Sequence, residues 1–573
     1  MADTRKRVIF VTVFWLLLSF IGPRHGPPGF ERLNHWVSKR LSAWQLSTIT
    51  LVGFYVLRNI DALLNLHPRP SNQSLYSPSF GRAVSLITAA NAGFWTALPI
   101  QPKFLRDLSS LVFSGYYMLS PDNADEKSRK FNYNTSANHL RAAFELVRNP
   151  YLAFVSSLKR KTLITNLTFE IPRPRNSIYV RPVKASIWYN KPIEELKNET
   201  KMIFHIHGGG FVSTYSELHA DSLTAWAIQT DLPIISIDYH LAPEYPFPYA
   251  LDECFEAYVS IMRSLGLCVG LSGTVEPDVV FTGDSAGGNI ATATLLKIIL
   301  HNRELQESGS TERPLKKPVS IVLTYPALDL GPAGVCGKRE MDLIRQQAED
   351  DGNDTLLEKK NRIVETYFAG LKPVPMKALV KPGTVFEDHD DRPILTLSSR
   401  ILFFQDAILA APALYCMVLL YTGTDRGSTD FKNEPLMSPL WADETLLAEF
   451  PKTYITCGDI DPLVDDSVMF ASRLRNARRK HVETDRDLAT TDIVEIKLLT
   501  AISHGFLQFE DVWPQARAIY QDIGEWFLRS FADADALTKL TKNTRVLPAP
   551  EEFADVKLYH DPFQPGRNGF VHY

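Results

Sequence analysis

Apolar and polar positions divide this chain into two regimes that meet near residue 175. Before that point apolar positions recur at helical spacing, as in residues 137–158, and predict a mainly helical region. From about Asn176 the pattern becomes short β-branched runs separated by helical stretches. The runs predict strands near 176–190, 202–206, 233–238, 279–283, 319–324, 453–457 and 493–499. Strands alternating with helices imply an α/β class, with a mostly parallel sheet covered by helices on both faces. One interval is too long for that rhythm. It is charged at first, from Arg345 to Arg362 with Glu349-Asp350-Asp351, and then apolar over residues 401–420, with Phe403, Phe404, Ile408, Leu409 and Met417. An exposed loop followed by a helix is expected, the helix either capping a pocket or packing on the core. The resulting division is 1–175, N-terminal helical; 176–330, first part of the α/β domain; 331–440, insertion; 441–535, second part; and 536–573, C-terminal tail.

Two glycine-rich motifs sit directly after predicted strands. Gly283-Asp284-Ser285-Ala286-Gly287 follows Val279-Val280-Phe281-Thr282 and fits G-x-S-x-G, a strand-to-helix elbow that leaves a serine oxygen exposed. Its glycines suit a turn with no room for side chains. Upstream, His207-Gly208-Gly209-Gly210-Phe211 follows Met202-Ile203-Phe204-His205-Ile206 and supplies backbone N–H groups for a developing oxyanion. Together they predict an acyl-transfer serine hydrolase. His205 and His207 could instead form a metal-binding pair. No third ligand stands at a recognisable spacing, so His207 is expected to hold the loop, and no metal or cofactor is expected.

A serine hydroxyl needs a base and an oriented acid behind it, following here in the order acid, then histidine. The acid must come from Cys457-Gly458-Asp459-Ile460-Asp461-Pro462-Leu463-Val464-Asp465-Asp466, after the strand ending near residue 457. Asp459 suits a turn cap, while Asp465 and Asp466 suit the first turn of a helix. Asp461 precedes a proline that holds it extended at the apex, and is the candidate. The base candidate is His504, in Ser503-His504-Gly505-Phe506 past the last strand. A trypsin-like reading of Gly283–Gly287 fails, because that fold places histidine and aspartate ahead of the serine.

The segment from Pro233 to Pro248, with Asp238-Tyr239-His240-Leu241-Ala242-Pro243-Glu244, completes a set of motifs that closely resembles the hormone-sensitive lipase family of α/β-hydrolases. The stretch Asp461–Ala471 is similar to that lipase more than to small bacterial esterases. Gly93-Phe94-Trp95-Thr96-Ala97 and Leu105-Arg106-Asp107-Leu108 resemble fungal proteins of this type. The resemblance implies an α/β-hydrolase fold with Ser285 as nucleophile, Asp461 as acid and His504 as general base. It implies oxyanion donors at Gly209, Gly210 and Ala286, and structural anchors at Glu244 and Asp252. The substrates it implies are lipid esters such as acylglycerols, with small-molecule, sterol-ester or acetyl esters as the alternative. A ligand-binding protein that has lost catalysis would not need the intact histidine. The chain contains no Arg-Arg-x-Ser, and Lys317-Pro318-Val319-Ser320 falls in a strand-like run, which argues against the phosphorylation control of the mammalian lipase.

Composition adds boundaries. The 573 residues, 45% of them hydrophobic, suffice for two or three cores. A net charge of −4 offers no footprint for nucleic acid. Five cysteines, at 254, 268, 336, 416 and 457, form no disulfide pattern and favour a reducing compartment. N-x-[ST] sequons at Asn72, Asn134, Asn166, Asn198 and Asn353 point the other way. Arg5-Lys6-Arg7 precede an uncharged, mostly apolar run at 8–21, shorter than the roughly 20 residues of a bilayer span. That run suits an interfacial anchor on the cytoplasmic face of the endoplasmic reticulum or on a lipid droplet, a packed core helix of a cytosolic enzyme, or a full transmembrane span as the third reading. Further apolar stretches lie at 46–57 and 83–100.

Overall fold

The computed structural model describes residues 42, 45, 75–132, 137, 140–141, 162–331, 399–400, 403, 406–423, 431, 433–481 and 493–541. The runs at 8–21 and 46–57, all of the charged stretch at 345–362, most of the helically spaced segment 137–158, and the tail past 541 lie outside the described residues.

Eight strands form one sheet. They are β1 (Thr165–Ile171), β2 (Val183–Tyr189), β3 (Lys201–Ile206), β4 (Ile234–Ile237), β5 (Asp278–Asp284), β6 (Ser320–Thr324), β7 (Lys452–Gly458) and β8 (Val494–Leu499). Their order across the sheet is β1-β2-β4-β3-β5-β6-β7-β8. β1 and β2 pair antiparallel, β2 also pairs antiparallel with β4, and the remaining neighbours are parallel. The sheet therefore begins at Thr165, inside the segment expected to be helical. That strand shows only three buried positions among seven, so its pattern is weak.

The inner strands β4 and β6 are buried at every position, as strands covered on both faces must be. Alternation still assigns each side chain to a face. Phe204, Phe281, Ile321 and Ile455 join one core, with α5 (Tyr249–Arg263), α6 (Ala286–Glu307) and α8 (Val464–His481). Ile203, Val280, Val322 and Tyr454 join the other, with α4 (Ala220–Thr230) and α9 (Ala516–Thr541).

The apolar stretch at 83–100 lies largely in α1 (Pro78–Ala97), which packs against α2 (Lys103–Leu119) and α3 (Pro121–Asn132). α1 docks onto the second core through Phe80, whose ring lies edge-on to Trp513 at 5.2 Å and is fully buried. Burying such a ring contributes about 2–3 kcal/mol. The insertion re-enters as α7 (Ala411–Thr422), an almost wholly apolar helix. Among the described residues, no helix is long and apolar enough to cross a membrane.

Candidate active site

The parallel strands end on one edge of the sheet, and the motif residues lie just past those ends, as expected for α/β sheets. β3 leads into His207–Gly210, β5 into Ser285, β7 into Asp461 and β8 into His504. β5 to α6 is the sharp step. Ser285 has φ 53 and ψ −119, a conformation rare for a residue with a side chain and costing on the order of 1–3 kcal/mol. The turn closes only because Gly287 lacks a side chain, since a Cβ there would lie 2.1 Å from Ile206 O. The Ser285 N–H donates to Thr324 O at 3.0 Å, tying the elbow to β6.

His504 Nε2 stands 2.9 Å from Ser285 Oγ, and its Nδ1 stands 2.9 Å from Asp461 Oδ2 and 3.2 Å from Oδ1. Asp461 is fully buried, and its Oδ1 also accepts the Leu463 N–H at 2.8 Å. Burial alone would depress the His504 pKa. The charge and hydrogen bond of Asp461, joined by the more distant Asp406 and Asp284, more than offset it, and the imidazole sits above its ordinary value. The other acids of that turn face elsewhere. Asp459 accepts the Ala501 N–H at 2.7 Å, Asp465 accepts that of Ser399, and Asp466 accepts those of Leu328 and Asp329 beside Arg400.

The glycine loop adopts the conformation its sequence permits, with φ of 107 at Gly209 and 62 at Gly210. Among the described residues, none accepts a backbone hydrogen bond from Gly209, Gly210 or Ala286. At Ala286, the first residue of α6, this follows from position, because a first-turn N–H has no partner within its helix. His207 Nδ1–H donates to Gly208 O at 2.8 Å, its ring stacks on Tyr239 at 4.2 Å, and burial lowers its pKa to about 4. It is neutral, and it touches the loop and not Ser285. His205 bonds Ser236 Oγ through Nδ1 at 2.8 Å.

Sequence reasoning did not anticipate His219. Its Nε2 lies 3.2 Å from Asp284 Oδ1, and that same oxygen accepts the Gly208 N–H at 2.9 Å. Burial would raise Asp284, but facing His219 it falls to about 2, while Asp284 in turn raises His219. The buried His219–Asp284 contact thus clamps the glycine loop to the elbow. Glu244 pairs with Arg141, and Asp252 pairs with Lys297 and Tyr179. The insertion reaches the site as well. Phe211 stacks on Tyr421 at 3.8 Å, and a Cβ on Gly210 would meet Met417 Sδ.

A family model described as alpha/beta hydrolase fold matches residues 203–369 and 369–489. The chain belongs to the α/β-hydrolase fold family. Within it, this α/β-hydrolase is similar to the hormone-sensitive lipase of Bos taurus, 27% identical over 420 residues, covering 55% of this chain and 52% of the relative. It is also similar to an esterase of Acinetobacter venetianus, 25% identical over 357 residues (62% and 83%). Arylacetamide deacetylase-like 2 of Homo sapiens is 26% identical over 381 residues (64% and 86%). The alignment spans about half the length of the bovine lipase.

Proposed function

We propose that this α/β-hydrolase cleaves carboxylic esters, lipid esters such as acylglycerols first among them, by way of a serine acyl-enzyme. The observation that carries this reading is the unbroken hydrogen-bond chain from Asp461 through His504 to Ser285. Ser285 Oγ attacks the ester carbonyl while His504 Nε2 takes its proton. Asp461 keeps Nδ1 protonated and stabilises the imidazolium. The oxyanion rests on the N–H groups of Gly209, Gly210 and Ala286, each such donor being worth about 3–4 kcal/mol in comparable sites. His504 then protonates the leaving alcohol, and water, activated by the same imidazole, releases the acid. The alkaline shift of the imidazole suits a base that must hold the proton between the two transfers. The relatives named as lipase, esterase and deacetylase support ester and amide-like acyl substrates. Ser285→Ala should abolish fluorophosphonate labelling and ester turnover while leaving the melting transition in place. Labelling that persists in the variant refutes the assignment.

Membrane association is part of the same proposal. The basic triplet Arg5-Lys6-Arg7 and the apolar run behind it support an interfacial anchor on the endoplasmic reticulum or a lipid droplet, cytosolic residence being the alternative. Deleting residues 1–25 should release the enzyme from anionic vesicles and lower turnover of emulsified lipid, with soluble-ester turnover retained. Parallel loss on both substrates, with aggregation, rejects the anchor.

A further inference from the structure

The backbone leading to His504 is gripped up to residue 502. Ala501 O accepts the Ser77 N–H at 2.8 Å, the Ala501 N–H donates to Asp459, and Ile502 O accepts the Ile460 N–H at 3.3 Å. Ser503, next to the histidine and fully buried, is held by its side chain, whose hydroxyl donates to Asp406 Oδ2 at 2.5 Å. Asp406 comes from the insertion. Its Oδ1 accepts the N–H groups of Ile408 and Leu409 at 2.9 and 2.8 Å, fixing the turn ahead of α7. Its Oδ2 takes the Tyr76 hydroxyl at 2.8 Å as well. Only 5% of the residue is exposed. A carboxylate buried this deeply costs several kcal/mol unless it is well bonded, and this one receives four donors from three separate stretches of chain. Ester hydrolysis assigns it no proton to carry, because Asp461 already occupies Nδ1 of the histidine.

We infer that Asp406 is a positioning residue of the hydrolytic site, acting through Ser503 to aim the His504 imidazole at Ser285 Oγ. The inference rests on the ester-hydrolase reading. Asp461 fixes the ring about its own axis, while Asp406 fixes the peptide that carries the ring. Because the same carboxylate opens the turn into α7, which packs on the oxyanion loop, it joins the general base to the inserted cover in one network.

The test uses the full-length protein and a soluble short-chain nitrophenyl ester, with turnover counted per fluorophosphonate-titrated site. Ser503→Ala removes one hydroxyl at nearly constant volume. It should lower kcat at least about tenfold, since misplacements near 1 Å can cost about 10²-fold. KM should stay within about twofold, and the melting temperature should fall by only about 2–4 °C. Asp406→Ala should lower kcat at least as much, and the double variant no further than the slower single, because both remove the shared Ser503–Asp406 bond. If Asp406→Ala does not fold, Ser503→Ala decides alone. Unchanged kcat per site in Ser503→Ala, with or without lost stability, overturns the inference, as does a strictly multiplicative double variant. Wild-type protein with no Ser285-dependent turnover or labelling defeats the hydrolase reading itself. Ser285-dependent turnover that is indifferent to Ser503 defeats only the role of Asp406.

Discussion

Replacing Asp461 with asparagine changes one atom, and the surrounding bonds dictate how the new side chain sits. Asp461 Oδ1 accepts the Leu463 N–H at 2.8 Å, a bond that an amide oxygen can keep and an amide nitrogen cannot. The asparagine oxygen therefore stays at Oδ1, and the NH₂ takes the place of Oδ2, 2.9 Å from His504 Nδ1. A donor now faces Nδ1, so the imidazole moves its proton to Nε2, the nitrogen facing Ser285. In that tautomer it cannot take the serine proton. The residue is fully buried, so water cannot restore the original arrangement at low cost. In the serine-protease template this tautomer error lowers kcat about 10⁴-fold, equivalent to roughly 5.4 kcal/mol of barrier. Steady-state kinetics on a short-chain ester, with KM measured alongside, should show a drop of that order confined to kcat. Asp459→Asn, which loses a bond to Ala501, should change stability more than kcat. A loss below about tenfold in Asp461→Asn, or an equal loss in Asp459→Asn, refutes the argument.

Two further predictions concern ionisation and packing. A protonated imidazole cannot act as base, and His504 sits above its ordinary value, so kcat/KM should rise with pH to a midpoint above about 6.5. Asp461→Asn should move the residual midpoint downward, and an upward move contradicts the stated cause. Gly287→Ala would drive a Cβ to 2.1 Å from Ile206 O and 2.5 Å from His207 O, both backbone atoms, so the elbow should not close and soluble yield should collapse. Gly115→Ala meets nothing within 4 Å inside α2, and should raise stability by up to about 1 kcal/mol in urea unfolding. Equal outcomes for the two glycines would discredit the close-approach reading.

Strands β2 to β7 follow runs visible in the chain because they are rich in β-branched or apolar residues and lie close to glycine or proline, while β8, itself an edge strand, shows in the alternation Val494-Glu495-Ile496-Lys497-Leu498. β1 escaped notice for the opposite reason. As an edge strand it exposes Asn166, Leu167 and Thr168 in succession, leaving no alternation to read, and its antiparallel pairing depends on contacts that no local pattern encodes. Ser285, Asp461 and His504 were legible because each follows a strand in a fixed order, and Asp461 stood out among four acids through the proline behind it. His219 and Asp406 carry no such mark. The first gains meaning only from Asp284, 65 residues away in sequence, and the second only from Ser503, 97 residues away. Charge pairs and hydroxyl anchors of this kind are products of tertiary approach.

The stacking of Phe211 on Tyr421 has a practical bearing on how acyl preference could be re-engineered. Phe211 ends the glycine motif and holds a φ of 66, while Tyr421 lies in the last turn of the inserted helix, with its backbone oxygen taking the Phe247 N–H at 2.8 Å. Transplanting an insertion from a relative would place a foreign side chain against a strained loop whose amides must stay aimed. Chimeras that exchange the insertion alone should therefore lose turnover before they reveal any new chain-length preference. Those that carry residues 211, 247 and 421 across together keep both halves of the stack, and make the inserted helix an exchangeable part.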